Sequence, residues 1–181
     1  MSSPLTRDQL EVVARAHITA EVTQLVMSAL PIQPTAWHPE DTGLNGVDLG
    51  EWFDELRLKA AMVHMRCLHS FLTGLTRPRV GPYGTDVVAQ DFFRGHWTPP
   101  AVVMGANSAE QERVLGSLDT RIHHIGRDRL SGPYTWEQAR QHTPQVLTAF
   151  SDFVAALGSD GDGERAEWFL DGIRFAKLLE I

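Results

Sequence analysis

At several places along this chain, a residue able to cap a helix is followed three positions later by Gln or Glu, and then by apolar residues three or four apart. The pairs read as helix starts are Thr6 and Gln9, Asp48 and Glu51, Ser108 and Gln111, and Thr135 and Gln138. Each marks a helix start. The cap's side-chain oxygen accepts from the backbone N–H of the third residue, whose own side chain reaches back to the cap's N–H. Apolar residues at that spacing then form a stripe along one helix face. No segment alternates apolar and polar residues between turns, as a half-buried strand would, and no unit recurs at a fixed period. The pattern predicts an all-α fold, a single-domain bundle of about five to six helices.

The first helix is expected from Thr6 to just before Pro31. Leu5 and Leu10 staple its start, and Leu10, Val13, Ala14, Ile18, Val22, Leu25, Val26 and Ala29 form its buried stripe. Pro31, Pro34, Pro39, Gly43 and Gly46 mark a loop. A helix capped by Asp48 follows. Phe53, Leu56, Ala60, Val63, Cys67 and Phe71 are its expected buried face, and it stops at Gly74 and Pro78. Its length suits the central helix of a bundle.

Thr85 is read as the cap of a short helix from Asp86 to about Phe93, and Trp97-Thr98-Pro99-Pro100 as an irregular segment across the bundle surface. The Ser108 helix carries Leu115, Leu118, Ile122 and Ile125 as a narrow seam and stops near Gly126. The Thr135 helix meets Pro144, where it either restarts with Thr143 as cap or is kinked. It then buries Val146, Leu147, Phe150, Phe153, Val154 and Leu157. An acidic turn follows. A last helix, about 164–180, buries Phe169, Ile173 and Ala176 with Trp168 beside them. Residues 1–181 read as one domain, with a core bundle over about 6–157.

Composition narrows the function classes. Hydrophobic residues make up 43% and charged residues 22%, ordinary globular values. A net charge of -7 disfavours coating DNA or an anionic membrane by bulk charge. One cysteine, Cys67, cannot form an internal disulfide. Met1-Ser2-Ser3-Pro4 lacks a basic segment followed by an apolar run, and no stretch approaches the ~20 apolar residues that a spanning helix requires. The expected setting is a reducing cytoplasm, with no membrane partner. GxxxxGK[ST], GxGxxG after a strand, HExxH, CxxC and GxSxG are all missing, so no cofactor and no metal site is expected from motifs. Asp160-Gly161-Asp162-Gly163-Glu164 lacks the later glutamate of a calcium loop and reads as an acidic turn.

The stretch from Ser117 to Arg129 carries the most suggestive chemistry. Arg121 and His124 are neighbours on one face of the predicted helix, and Ser117 lies one turn before Arg121. Arg127 and Arg129 follow the helix end, where cations complement the negative end of the dipole. An imidazole titrating near ~6.5 can move a proton at neutral pH. An adjacent guanidinium can hold a phosphate. Together they suffice for metal-free RNA cleavage with the 2′-hydroxyl as nucleophile. Helix-end Arg and His also serve capping alone, so both readings stand. For His64 the reading is a hydrogen-bonded histidine at the core edge, facing away from His69.

Two regions resemble the HEPN superfamily of helical nucleotide-binding and ribonuclease domains. One is the Leu56-to-Phe71 helix followed by Asp86-Val-Val-Ala-Gln-Asp-Phe-Phe93. The other is the helix ending in Arg121-Ile-His-His124-Ile. The resemblance covers roughly residues 48–155. It implies a metal-independent ribonuclease, or an RNA- or nucleotide-binding protein, of a bacterial defence or toxin–antitoxin type system. It also implies a homodimer that pairs two Arg121/His124 patches. His124 would be the general acid or base, with Arg121 beside it, and Arg127 and Arg129 would bind phosphate. The family's motif sets its arginine and histidine farther apart than Arg121 and His124. The alternative is therefore a non-catalytic helical module that binds a protein partner, with Trp37 and Trp97 on their loops as anchors or as lids over the core. A third reading, a metal or cofactor enzyme, would need His17, His64, Asp86 or Asp91 to point inward.

Overall fold

A computed structural model of the chain describes residues 5–30, 49–74, 87–123, 135–160 and 163–177. Among these there is no strand, and helices pack on helices throughout, as the capping and apolar patterns predict. None of the described helices is long and apolar enough to cross a membrane.

The first rod runs from Arg7 to Ala29 as α1 (Arg7–Val12), a π-helical turn (Val13–Ile18) and α2 (Thr19–Ala29). Its capping box is formed: Gln9 N donates to Thr6 Oγ1 at 3.3 Å, and Thr6 N donates to Gln9 Oε1 at 2.9 Å. Leu10, Ala14, Ile18 and Val22 are all buried. In a regular helix, four residues overshoot one turn by about 40°, so a run of four-residue steps drifts off any flat interface. The wider π turn absorbs that drift and keeps the four side chains on one line.

α3 (Leu49–Thr73) is the central helix, with α2, α4 and α5 packed around it. It ends at Gly74, whose φ of 64° closes the helix in the left-handed region and whose N–H donates to Ser70 O at 3.0 Å. Its buried face is not the expected one. Ala61, Met62, Met65, Leu68, His69 and Leu72 lie inside, whereas Phe53, Leu56 and Cys67 are exposed and Ala60 and Val63 half-buried. Only Phe71 of the expected face is buried. α3 has two apolar stripes, and periodicity alone cannot choose between them.

The Asp86-to-Phe93 helix is replaced by one 3-10 turn, Ala89–Phe92, started by Asp91 Oδ2 accepting from Val88 N at 2.9 Å. Asp86 lies outside the described residues, as do Asp48 and Trp37. α4 (Ser108–His123) is capped one residue earlier than expected: Asn107 Oδ1 accepts from Glu110 N at 3.0 Å, and Ala106 N donates back to Glu110 Oε2 at 2.7 Å. Asn107 accepts as well as Ser108 would, which frees Gln111 to turn inward.

α5 (Trp136–Ser159) starts on the predicted Thr135–Gln138 capping box and runs unbroken through Pro144, which is exposed. Its expected stripe from Val146 to Leu157 is buried. The last helix is broken in two, α6 (Gly163–Glu167) and α7 (Leu170–Ala176). Between them Trp168 and Phe169 turn into the core. Gly172 lets α7 come close: a Cβ there would lie 3.3 Å from the Phe150 ring.

Phe153 is the centre of the core. Its ring lies 5.2 Å from Phe71, 6.3 Å from Phe92, 5.8 Å from Phe93, 5.7 Å from Trp97, 6.1 Å from Phe150 and 5.2 Å from Phe169, mostly edge to face. Arg165 of α6 donates to Phe92 O at 2.6 Å and ties the 3-10 turn to the C-terminal helices.

Candidate functional site

The sequence places its chemistry at the end of α4, and the start of that helix fixes the register. Gln111 is buried, and its Oε1 accepts from Val103 N at 2.5 Å and Met104 N at 3.2 Å. Gly105, with φ 89°, donates to Gln145 Oε1 of α5 at 2.7 Å. The segment before α4 is thereby pinned to α5. Val114 and Leu118 are buried, and Leu115 and Ser117 are half-buried. The helical backbone continues through Arg121 to His123, so position 121 lies one turn beyond Ser117 on the same face. The side chains of Arg121 and Ile122, and residues His124, Ile125, Arg127 and Arg129, lie outside what the structure describes.

Among the described residues, one polar cluster joins two helices at the surface. His64 of α3 places Nδ1 2.7 Å from Oε2 of Glu21 on α2. Their side chains are 19% and 32% exposed, so the pair sits at the core edge, as expected for His64. Cys67 lies one turn further along α3 and is exposed. Desolvation by its neighbours pushes its thiol up to about 11, with the Glu21 carboxylate, which accepts from the thiol, adding to the rise. Nucleophilic cysteine needs a lowered pKa. Cys67 is held as a neutral thiol, and Glu21 acts as an acceptor rather than activating it. The His64 and Cys67 pair is visible in the sequence at helical spacing. Glu21 is not, because nothing local marks a partner 43 positions away.

A second group is buried between helices. His69 on α3 and His142 and Thr143 on α5 are all at most 1% exposed. Thr143 Oγ1 contacts Met65 Sδ at 3.6 Å. Burial lowers the pKa of His142; Arg113 of α4 lowers it further and Glu110 opposes. A neutral, sealed imidazole serves packing and hydrogen bonding rather than proton exchange with a substrate.

Of the residues named for a metal enzyme, His64 pairs with Glu21 and Asp86 lies outside the described residues. His17 and Asp91 are exposed rather than inward, and Asp91 is spent on the Val88 amide. Among the described residues, no group of three His, Cys, Asp or Glu side chains could hold a metal ion.

Trp97 is a lid, not an exposed anchor. Its ring stacks on Phe93 at 5.1 Å, and its Nε1 donates to Leu72 O at 3.1 Å, satisfying one of the carbonyls left open at the end of α3. Arg57 does the same for α2: it donates to Ser28 O at 3.3 Å and to Leu30 O, and lies over the Trp136 ring at 5.2 Å. Comparison with protein-family models, with curated proteins and with solved structures gives no match for this chain.

Proposed function

We propose that this chain is a HEPN-like helical domain that cleaves RNA without a metal, or binds RNA or a nucleotide, in a bacterial defence or toxin–antitoxin type system. The observation that supports the reading is the register of α4. Leu118 is buried, Ser117 is half-buried, and helical backbone continues through position 121. A phosphate-binding guanidinium on that face, followed by an imidazole, matches the chemistry of 2′-hydroxyl attack. In this reading His124 moves the proton, Arg121 steadies the phosphorane, and Arg127 and Arg129 bind flanking phosphates.

The test is cleavage of single-stranded RNA by the purified full chain in the presence of a chelator. His124→Ala should abolish cleavage, while Arg127→Ala and Arg129→Ala should mainly weaken binding. Cleavage unchanged in His124→Ala overturns the catalytic assignment. RNA binding without cleavage, lost in Arg121→Ala and Arg127→Ala, assigns binding alone.

The second reading, a non-catalytic protein-interaction module, is favoured by one specific observation. The central helix α3 exposes Leu56 and Cys67 on an apolar stripe in addition to the one it buries.

A further inference from the structure

Glu110 stands where α4 and α5 meet the segment that precedes α4. Its side chain folds back over Gly105: a Cβ added to Gly105 would lie 2.9 Å from Glu110 Cγ. Gly105 is itself bonded to α5, its N–H donating to Gln145 Oε1 at 2.7 Å. The Glu110 carboxylate accepts from Ala106 N at 2.7 Å, and Asn107 Oδ1 accepts from Glu110 N at 3.0 Å. Glu110 Oε1 also lies 3.7 Å from Arg113, one turn along α4. One carboxylate closes the turn 105–107 and lies against the part of α5 that carries Gln145.

His142 lies one turn before Gln145 on the same side of α5 and is sealed from solvent. The charges that act on it come from α4: Glu110 favours a proton on the imidazole and Arg113 opposes it. α3 brings Met65 against Thr143 and buries His69, and neither supplies an anion. The one charged residue of α2, Glu21, is paired with His64. α7 and α6 meet α5 further along, at Phe150 and Gly158. On α5 itself, Glu137 and Arg140 are exposed. A cation in the sealed interior is costly without a counter-charge. Among the described residues, Glu110 is the anion that can supply it, and supplying it takes the carboxylate away from Ala106 N.

We propose that Glu110 and His142 form an acid-sensitive clasp on the start of α4. With the imidazole neutral, Glu110 holds Ala106 N and the turn stays closed; with the imidazole protonated, Glu110 swings to it and the Ala106 bond opens. The proton comes from solvent and no covalent bond changes. Burial and Arg113 keep the imidazole neutral at neutral pH, so the clasp opens on the acid side. It lies at the opposite end of α4 from Arg121 and does not rest on the ribonuclease reading.

The test is a pH titration of the nitrogen-labelled full chain by NMR, from neutral to mildly acidic. The His142 ring should titrate with a midpoint below 6.5, and the Ala106 amide proton should move upfield with the same midpoint as its bond is released. Hydrogen-exchange protection of that amide should fall by up to about tenfold per pH unit across this range, the slope of one linked proton. His142→Gln should remove both changes. Glu110→Gln, at a partly exposed position, keeps an acceptor for Ala106 N but no charge for the imidazole. It should leave the Ala106 signal in place and lower the His142 midpoint further. An Ala106 signal that stays still while His142 titrates, the same movement in His142→Gln, or loss of all native signals together before Ala106 moves would each overturn the proposal.

Discussion

His64 Nδ1 and Glu21 Oε2, 2.7 Å apart, tie α2 to α3 at the edge of the core. The pair is partly solvated, so its worth is limited by screening. Replacing His64 by Phe and Glu21 by Gln, singly and together, should give a coupling free energy of roughly 0.5–1 kcal/mol in urea unfolding. A coupling near zero would mean that the contact is geometric only.

The same carboxylate adds to the desolvation that raises the Cys67 thiol. With the thiol pushed up to about 11, alkylation at neutral pH should be slow and should accelerate as pH rises toward that value. Desolvation is the largest cause of the rise and Glu21 adds to it, so Glu21→Gln should speed alkylation at neutral pH without restoring an ordinary thiol. The linkage has a definite sign. A thiol whose folded pKa is raised from 9.0 to about 11 contributes stability that is complete below 9.0 and is lost as pH climbs toward 11.

His142 contributes to acid sensitivity. Burial lowers its pKa below the ordinary 6.5, so the folded state holds it neutral while the unfolded chain can protonate it. Stability from this site is complete above pH 6.5 and falls as pH drops below that value. Urea unfolding followed from neutral to mildly acidic pH should show this loss, and His142→Gln should flatten that part of the curve. An unchanged acid profile in His142→Gln would assign the loss elsewhere.

Phe153 touches six aromatic rings. Phe153→Ala should cost about 3–5 kcal/mol, a large share of an ordinary domain's stability. Trp97→Phe keeps most of the stacking on Phe93 but deletes the donor to Leu72 O, and should cost about 1 kcal/mol. Chemical denaturation of both variants separates the ring cluster from the single hydrogen bond.

Much of this architecture is legible in the residues themselves. Thr6 with Gln9 and Thr135 with Gln138 cap the helices they predict, Gly74 ends α3, and the stripe from Val146 to Leu157 is buried as written. These are local signals, settled within one or two turns by hydrogen bonds and side-chain spacing. The tertiary structure decided what depends on neighbours. It chose which of two apolar stripes on α3 faces inward, because both have helical periodicity and only the packing of α2, α4 and α5 distinguishes them. It broke the last helix at Trp168 and Phe169, both of which lie in the core. It gave His64 its carboxylate and Trp97 its carbonyl, partners 43 and 25 positions away. Local propensity acts through near neighbours along the chain. Burial and partnership act through space, and a single sequence does not state which distant residues will meet.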